Sequence, residues 1–106
     1  MNIKKSETYK IKCALGKIIR TTKEYWQYIS KVKHADLENK IEEVLKTLSK
    51  PNEIRQGHEN EIYIYYRKYQ TQWICVVTRV LNGDGFIITA YLTSKNKRKG
   101  KKIWTR

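Results

Sequence analysis

Four side chains of this 106-residue sequence have types suited to phosphate chemistry without a metal. His34 lies between two predicted helices, and a histidine changes charge near neutral pH, so it can transfer protons there. Arg67 lies in an otherwise apolar and aromatic strand, where its guanidinium must be paired or face a solvated groove. Strand alternation puts Ile87, Thr89 and Tyr91 on one face of a later strand, where the two hydroxyl groups could hold a phosphate oxygen.

Each of these residues also has an ordinary structural interpretation that the sequence leaves open. Arg67 could form a salt bridge with an acid such as Glu53 or Glu61. A histidine between helices is commonly an exposed residue or a helix cap. Common strand composition is sufficient to account for Thr89 and Tyr91.

The sequence has no motif for a metal or a nucleotide cofactor. Its two cysteines, Cys13 and Cys75, are far apart and lack ligand spacing, so each is expected to be a buried free thiol. There is no glycine-rich phosphate loop and no carboxylate pair at useful spacing. We therefore expect chemistry that uses neither a metal nor a cofactor.

The net charge of +13 is concentrated away from the middle of the chain. The last twelve residues carry seven basic residues and no acid, whereas residues 51–94 are balanced. A field of this sign favours a phosphate backbone or an acidic protein. The expected nucleic-acid-binding residues are Lys33, Lys68, Lys95, Lys97, Arg98, Lys99 and Lys101. No apolar run approaches the roughly 18–20 residues of a membrane helix, so no membrane segment is expected.

The first half of the chain predicts a hairpin followed by two helices. The hairpin is expected at residues 9–13 and 17–20. The first helix begins at the capping-box pair Thr21 and Glu24, with Tyr25, Ile29 and Val32 on its apolar face. The second helix runs from Asp36 to Leu48, and its apolar stripe must pack on another element.

The second half of the chain predicts an antiparallel sheet that these helices cover. Runs rich in β-branched and aromatic residues are separated by short turns, which indicates strands at 61–69, 73–81 and 85–93, with edge strands near 54–58 and 102–104. The predicted architecture is one α+β domain over residues 1–106, with two N-terminal helices packed on one antiparallel sheet and a basic tail at 95–106.

Three segments of the sequence resemble small phage- and toxin-associated nucleases of the barnase–EndoU–colicin–RelE group. They are GKIIRTTKEYWQYISKVKHADLENKIEEVLKTLSKPNEI, IYIYYRKY and GFIITAYLTSK, which fall within residues 16–104. The resemblance implies a RelE- or barnase-like fold with one active site formed by His34, Arg67, Thr89 and Tyr91. The sequence departs from the group's pattern after the histidine, where Ala35 replaces the usual proline.

The activity that this resemblance implies is metal-independent cleavage of RNA by a toxin. The 2′-OH would attack the phosphate to give a 2′,3′-cyclic phosphate, with His34 as base or acid and Arg67 stabilising the charge of the phosphorane. Thr89 or Tyr91 would position the phosphate. The expected partners are tRNA or mRNA and an acidic antitoxin or immunity protein, and the expected location is the cytoplasm. Two alternatives stay open: a RelE-like mRNA interferase that requires the ribosome, and a non-catalytic nucleic-acid-binding module.

Overall fold

The computed structural model describes residues 8–106, and within this range seven strands form one mixed sheet. The sheet order is β1-β2-β6-β5-β4-β3-β7. The strands are β1 (Thr8–Lys12), β2 (Ile18–Thr22), β3 (Glu53–Gln56), β4 (Ile62–Tyr69), β5 (Gln72–Leu81), β6 (Asp84–Thr93) and β7 (Lys101–Thr105). Residues 1–7 of the predicted domain lie outside the described range.

This sheet corrects the predicted architecture of two helices packed on one antiparallel sheet. The β1–β2 hairpin is part of the sheet, because β2 runs parallel to β6 and Ile18 pairs with Asp84. The described helices are too short to form a helical layer: α1 (Lys23–Gln27) has five residues and α2 (Ile41–Ser49) has nine. The chain is therefore mostly sheet, and the pattern of strands dominates its fold.

Backbone geometry explains why the second helix is shorter than its apolar stripe. A 3-10 turn covers Ala35–Leu37, and Asn39 then adopts a φ of +64°, which an α-helix cannot include. The helix proper therefore begins at Ile41. The predicted stripe still packs inward, since Leu37, Val44 and Leu48 are fully buried.

The first helix also differs from its prediction, because it widens into a π-helical turn over Tyr28–Lys33. Thr22 is the N-cap and accepts a hydrogen bond from the Tyr25 backbone N–H. The wider turn changes which residues face inward: Trp26 and Ile29 are buried, whereas Val32 is 71% exposed. The predicted face of Tyr25, Ile29 and Val32 is thus wrong for two of its three members.

The sheet has two apolar faces, and the elements that cover them differ. The first face packs on α2 and α1 and contains Ile19, Ile54, Tyr65, Ile74, Val76, Ile87 and Ala90. The second face contains Ile62, Ile64, Tyr66, Trp73, Cys75, Val77 and Tyr91. Residues 94–100, here called the crossing segment, connect β6 to β7 at the sheet's far edge and pass over this second face.

Three contacts hold the crossing segment against the second face. The Lys99 backbone N–H donates to the Tyr66 hydroxyl at 2.9 Å. The Arg98 guanidinium carbon lies 4.4 Å from the centre of the Trp73 ring. The same guanidinium pairs with the buried carboxylate of Glu53, which also pairs with Arg55. These contacts fix the position of the crossing segment on the second face.

Candidate functional site

A pocket of about 320 Å³ opens between β6, the end of the π turn and the crossing segment. We call it the His34 pocket, and its lining residues are Lys33, His34, Thr89, Tyr91, Thr93, Lys97 and Lys99. The structure thus brings together three of the four side chains singled out as catalytic. The pairing of β6 with β2 ends at Phe86. Further along β6 the Tyr25 hydroxyl donates to the Ile88 carbonyl at 2.7 Å, so the helical segment runs beside this half of the strand.

A β-bulge in β6 turns Thr89 and Tyr91 toward this pocket. Val77 pairs with Thr89 and Thr78 pairs with Ile87, so Ile88 is the extra residue. The bulge reverses the alternation, which leaves Ile87 in the first-face core with Ala90. The prediction that Ile87 shares a face with Thr89 and Tyr91 is therefore wrong.

The Thr89 hydroxyl is a buried polar group that lacks a partner among the described residues. Burying a hydroxyl without a hydrogen bond costs roughly 1–3 kcal/mol in proteins, so native structures rarely retain one. Thr89 lines the His34 pocket, and a rotation of its side chain would turn the hydroxyl, which has almost no exposed surface, toward a ligand oxygen there. Thr89 thus contributes to the pocket a hydroxyl that has no hydrogen-bond partner among the described residues.

Tyr91 supplies a neutral hydroxyl and an aromatic wall. Burial raises the pKa of Tyr91 well above its ordinary value, and its hydrogen bond with Cys75 raises it further. Burial also raises the pKa of the Cys75 thiol, to about 11. The two groups therefore stay protonated at neutral pH, and the Tyr91 ring lies 5.4 Å from the His34 ring, centre to centre.

The electrostatic character of the pocket is cationic. Lys33, Lys97 and Lys99 line it, and none of its described lining residues carries a carboxylate. The Lys33 ammonium also lies 5.9 Å from the centre of the Tyr28 ring. Three ammonium groups, a histidine and an unpartnered hydroxyl make an arrangement suited to a phosphate group.

Arg67 lies on the opposite face of the sheet and does not reach this pocket. Its guanidinium donates to the Glu43 carboxylate at 2.7 Å, to the Glu43 carbonyl at 2.9 Å and to the Thr47 hydroxyl at 3.1 Å. The side chain thus joins β4 to α2 and is buried. This corrects the expectation that Arg67 shares the site. The other interpretation of Arg67 was a salt bridge to Glu53 or Glu61. Arg67 does form a salt bridge, but its partner is Glu43.

The residues expected to bind nucleic acid are distributed over several environments. Lys33, Lys97 and Lys99 line the His34 pocket, and Lys101 lines a neighbouring pocket together with Lys99. Arg98 is mostly buried against Glu53 and holds the crossing segment in place. Lys95 is exposed, and the Lys68 ammonium lies 5.6 Å from the centre of the Trp73 ring.

Thr93 is the lining residue that sequence reasoning missed. It follows Thr89 and Tyr91 at the two-residue spacing of a strand face, which is the signal that could have identified it. Glu53 was named only as a possible partner of Arg67. Its actual role as the anchor of the crossing segment depends on the β3–β7 pairing.

Residues 8–106 offer neither a metal-binding cluster nor a membrane-spanning helix. Within that range, no group of three or more His, Cys, Asp or Glu side chains is placed to hold a metal ion. The helices described there are all too short and too polar to cross a membrane. No protein-family model, curated protein or solved structure matches this chain.

Proposed function

We propose that this protein is a metal-independent ribonuclease that binds a phosphodiester of single-stranded RNA in the His34 pocket. The observation that carries the proposal is the convergence of His34, the unpartnered Thr89 hydroxyl and three lysines in one cationic pocket. A phosphate has the negative charge and the acceptor oxygens that suit these groups. The 2′-OH of RNA is a nucleophile within the substrate, so the reaction needs a base that accepts its proton and cations that hold the phosphate.

The residues of the pocket have distinct tasks in this reaction. His34 takes the proton from the 2′-OH as its oxygen forms a bond to phosphorus. The bond from phosphorus to the 5′ oxygen breaks, and that oxygen takes up a proton from water at the exposed rim. Thr89 donates to a non-bridging phosphate oxygen, while Lys97 and Lys99 offset the negative charge of the phosphorane. The products are a 2′,3′-cyclic phosphate and a 5′-hydroxyl.

The proposal extends to a toxin that acts on RNA in the cytoplasm and is restrained by an acidic inhibitor. Its support is the net charge of +13 together with the exposed lysines around the His34 pocket. An acidic protein that covers these lysines would compete directly with RNA, and opposite charge would speed its association.

The test is cleavage of labelled single-stranded RNA by the purified protein in the presence of a chelator. We expect cyclic-phosphate products, and we expect no cleavage when every 2′-OH is replaced by hydrogen. His34→Gln should lower the single-turnover rate by about 10²–10⁴-fold, the usual contribution of a general acid or base. Lys31→Gln, an exposed change nearby, should leave the rate at saturating RNA unchanged.

Three outcomes separate the proposal from its alternatives. RNA binding without cleavage would favour a non-catalytic binding module. Cleavage that appears only when ribosomes are added would favour a ribosome-dependent interferase. Cleavage that His34→Gln leaves intact would refute the catalytic assignment, because His34 is the residue to which the proton transfer is assigned.

A further inference from the structure

A second pocket of about 660 Å³ lies beside the His34 pocket, between β4, β7 and the turn that joins β3 to β4. Its apolar surface comes from Ile62, Ile64 and Ile103, so we call it the Ile103 pocket. Ile103 is 44% exposed, which is high for a large apolar side chain. The volume falls within the range of about 300–1,000 Å³ that is typical of small-ligand sites.

The turn that forms one wall of the Ile103 pocket is held in a fixed shape. The Gln56 side-chain NH2 lies 3.1, 3.0 and 2.9 Å from the carbonyl oxygens of Glu59, Asn60 and Ile62, so its two hydrogens are shared among three acceptors. The Gly57 N–H donates to the Ile62 carbonyl, and a Cβ at Gly57 would lie only 2.5 Å from Ile62 Cγ2. A wall held this way is preorganised, so a ligand that enters loses little free energy in ordering it.

Lys99 connects the two pockets, because it lines both of them. The apolar groups beneath them also belong to one cluster on the second face, which includes Ile62, Ile64 and Tyr91. Lys101 adds a second cation to the rim of the Ile103 pocket. The combination of an apolar floor with cations on the side of the phosphate pocket fits a flat apolar group that is covalently joined to a phosphate.

We infer that the Ile103 pocket holds the base of a nucleotide next to the phosphate bound in the His34 pocket. This inference rests on the RNA binding of the proposed function. Lys99 bridges the two positions along the backbone, and the base packs on the three isoleucines. Because this contact is apolar, it tolerates any base. It therefore fixes the position of the RNA and adds little sequence specificity.

The inference is tested by binding, with an RNA that cannot be cleaved. Short 2′-fluoro RNA oligonucleotides carry a fluorophore and one abasic nucleotide, which is moved along the strand, and affinity is measured by anisotropy. For the intact oligonucleotide, Ile103→Ala should weaken binding by about tenfold, the order of effect of a small apolar group in a pocket. Leu81→Ala is the matched control, since Leu81 is 47% exposed and lines neither pocket.

The decisive result is a lack of additivity at one position. One abasic oligonucleotide should bind the wild-type protein about as weakly as Ile103→Ala binds the intact RNA, and Ile103→Ala should weaken it no further. An Ile103→Ala effect that is absent, or equal for every oligonucleotide, overturns the inference. His34-dependent cleavage is measured separately, so the proposed function can survive that result, and base binding can survive a loss of cleavage.

Discussion

Replacing Thr89 with valine should make the protein more stable and less able to bind RNA. Valine has nearly the shape of threonine and suits a strand, but it removes the buried hydroxyl that has no partner among the described residues. Recovering the desolvation penalty of that hydroxyl should raise the free energy of unfolding by about 1–3 kcal/mol. For a chain of this size, about 1 kcal/mol corresponds to roughly 4–8 °C in Tm.

The same substitution removes the donor that the proposal aligns with a phosphate oxygen. A hydrogen bond to a charged group contributes about 1.5–3 kcal/mol, so the single-turnover rate at low RNA concentration should fall by roughly 10–150-fold. Calorimetry gives the change in Tm, and cleavage of limiting RNA gives the change in rate. Stability and activity are thus expected to move in opposite directions.

Thr78→Val is the matched control on the neighbouring strand β5. The Thr78 hydroxyl is also buried, but it donates to the Tyr63 carbonyl at 3.1 Å. Its removal should therefore lower stability by about 1 kcal/mol and leave cleavage by the folded protein unchanged. A Thr89→Val variant that is destabilised like Thr78→Val, or that cleaves RNA at the wild-type rate, would refute the reasoning about Thr89.

Three further predictions concern charged and titratable groups outside the His34 pocket. Glu53→Gln should lower RNA affinity although it raises the net charge, because the crossing segment loses the ion pair between Glu53 and Arg98. The exposed Asp84→Asn changes the net charge by the same amount and should not lower affinity, so equal effects of the two variants in a binding titration would contradict the prediction. Arg67→Ala should lower Tm by roughly 10–20 °C, because the hydrogen bonds that Arg67 on β4 donates to Glu43 on α2 are lost, while cleavage by the folded fraction at low temperature persists. Burial raises the pKa of the Cys75 thiol from 9.0 to about 11, so the stability that the thiol contributes is fully present below pH 9. As pH rises from 9 toward 11, the free energy of unfolding should fall by about 2–3 kcal/mol. Cys75→Ala should flatten a plot of Tm against pH over that interval, and an unchanged slope would count against this prediction.

The strands of the sheet could be read from the sequence, but their arrangement could not. Alternation and turn residues placed the ends of β4, β5 and β6 to within one or two residues. The turn between β5 and β6 was recognisable because Asn and Gly readily adopt the positive φ values that Asn82 and Gly83 have there. The parallel pairing of β2 with β6 joins segments more than half the chain apart. Local patterns carry no information about such a contact, so the predicted fold class was wrong.

Of the four side chains grouped from the sequence, the structure places His34, Thr89 and Tyr91 around one pocket and Arg67 elsewhere. Thr89 and Tyr91 share a face because the alternation holds on their side of the bulge, whereas Ile87 lies beyond it. His34 was placed at a corner between helical segments, which is where the structure puts it. Arg67 was misplaced because an arginine in an apolar strand has the same sequence signature whether it binds a ligand or a neighbouring helix.

The sheet order also determines when the His34 pocket can form as the chain folds. Strands β4, β5 and β6 follow one another through tight turns, so their contacts are local and form early. The pairings of β2 with β6 and of β3 with β7 close long loops and come later. His34 belongs to the first of these late parts, and Lys97 and Lys99 belong to the second. A partly folded chain in which only β4, β5 and β6 have paired therefore lacks the His34 pocket, which is complete only when both long-range pairings have formed.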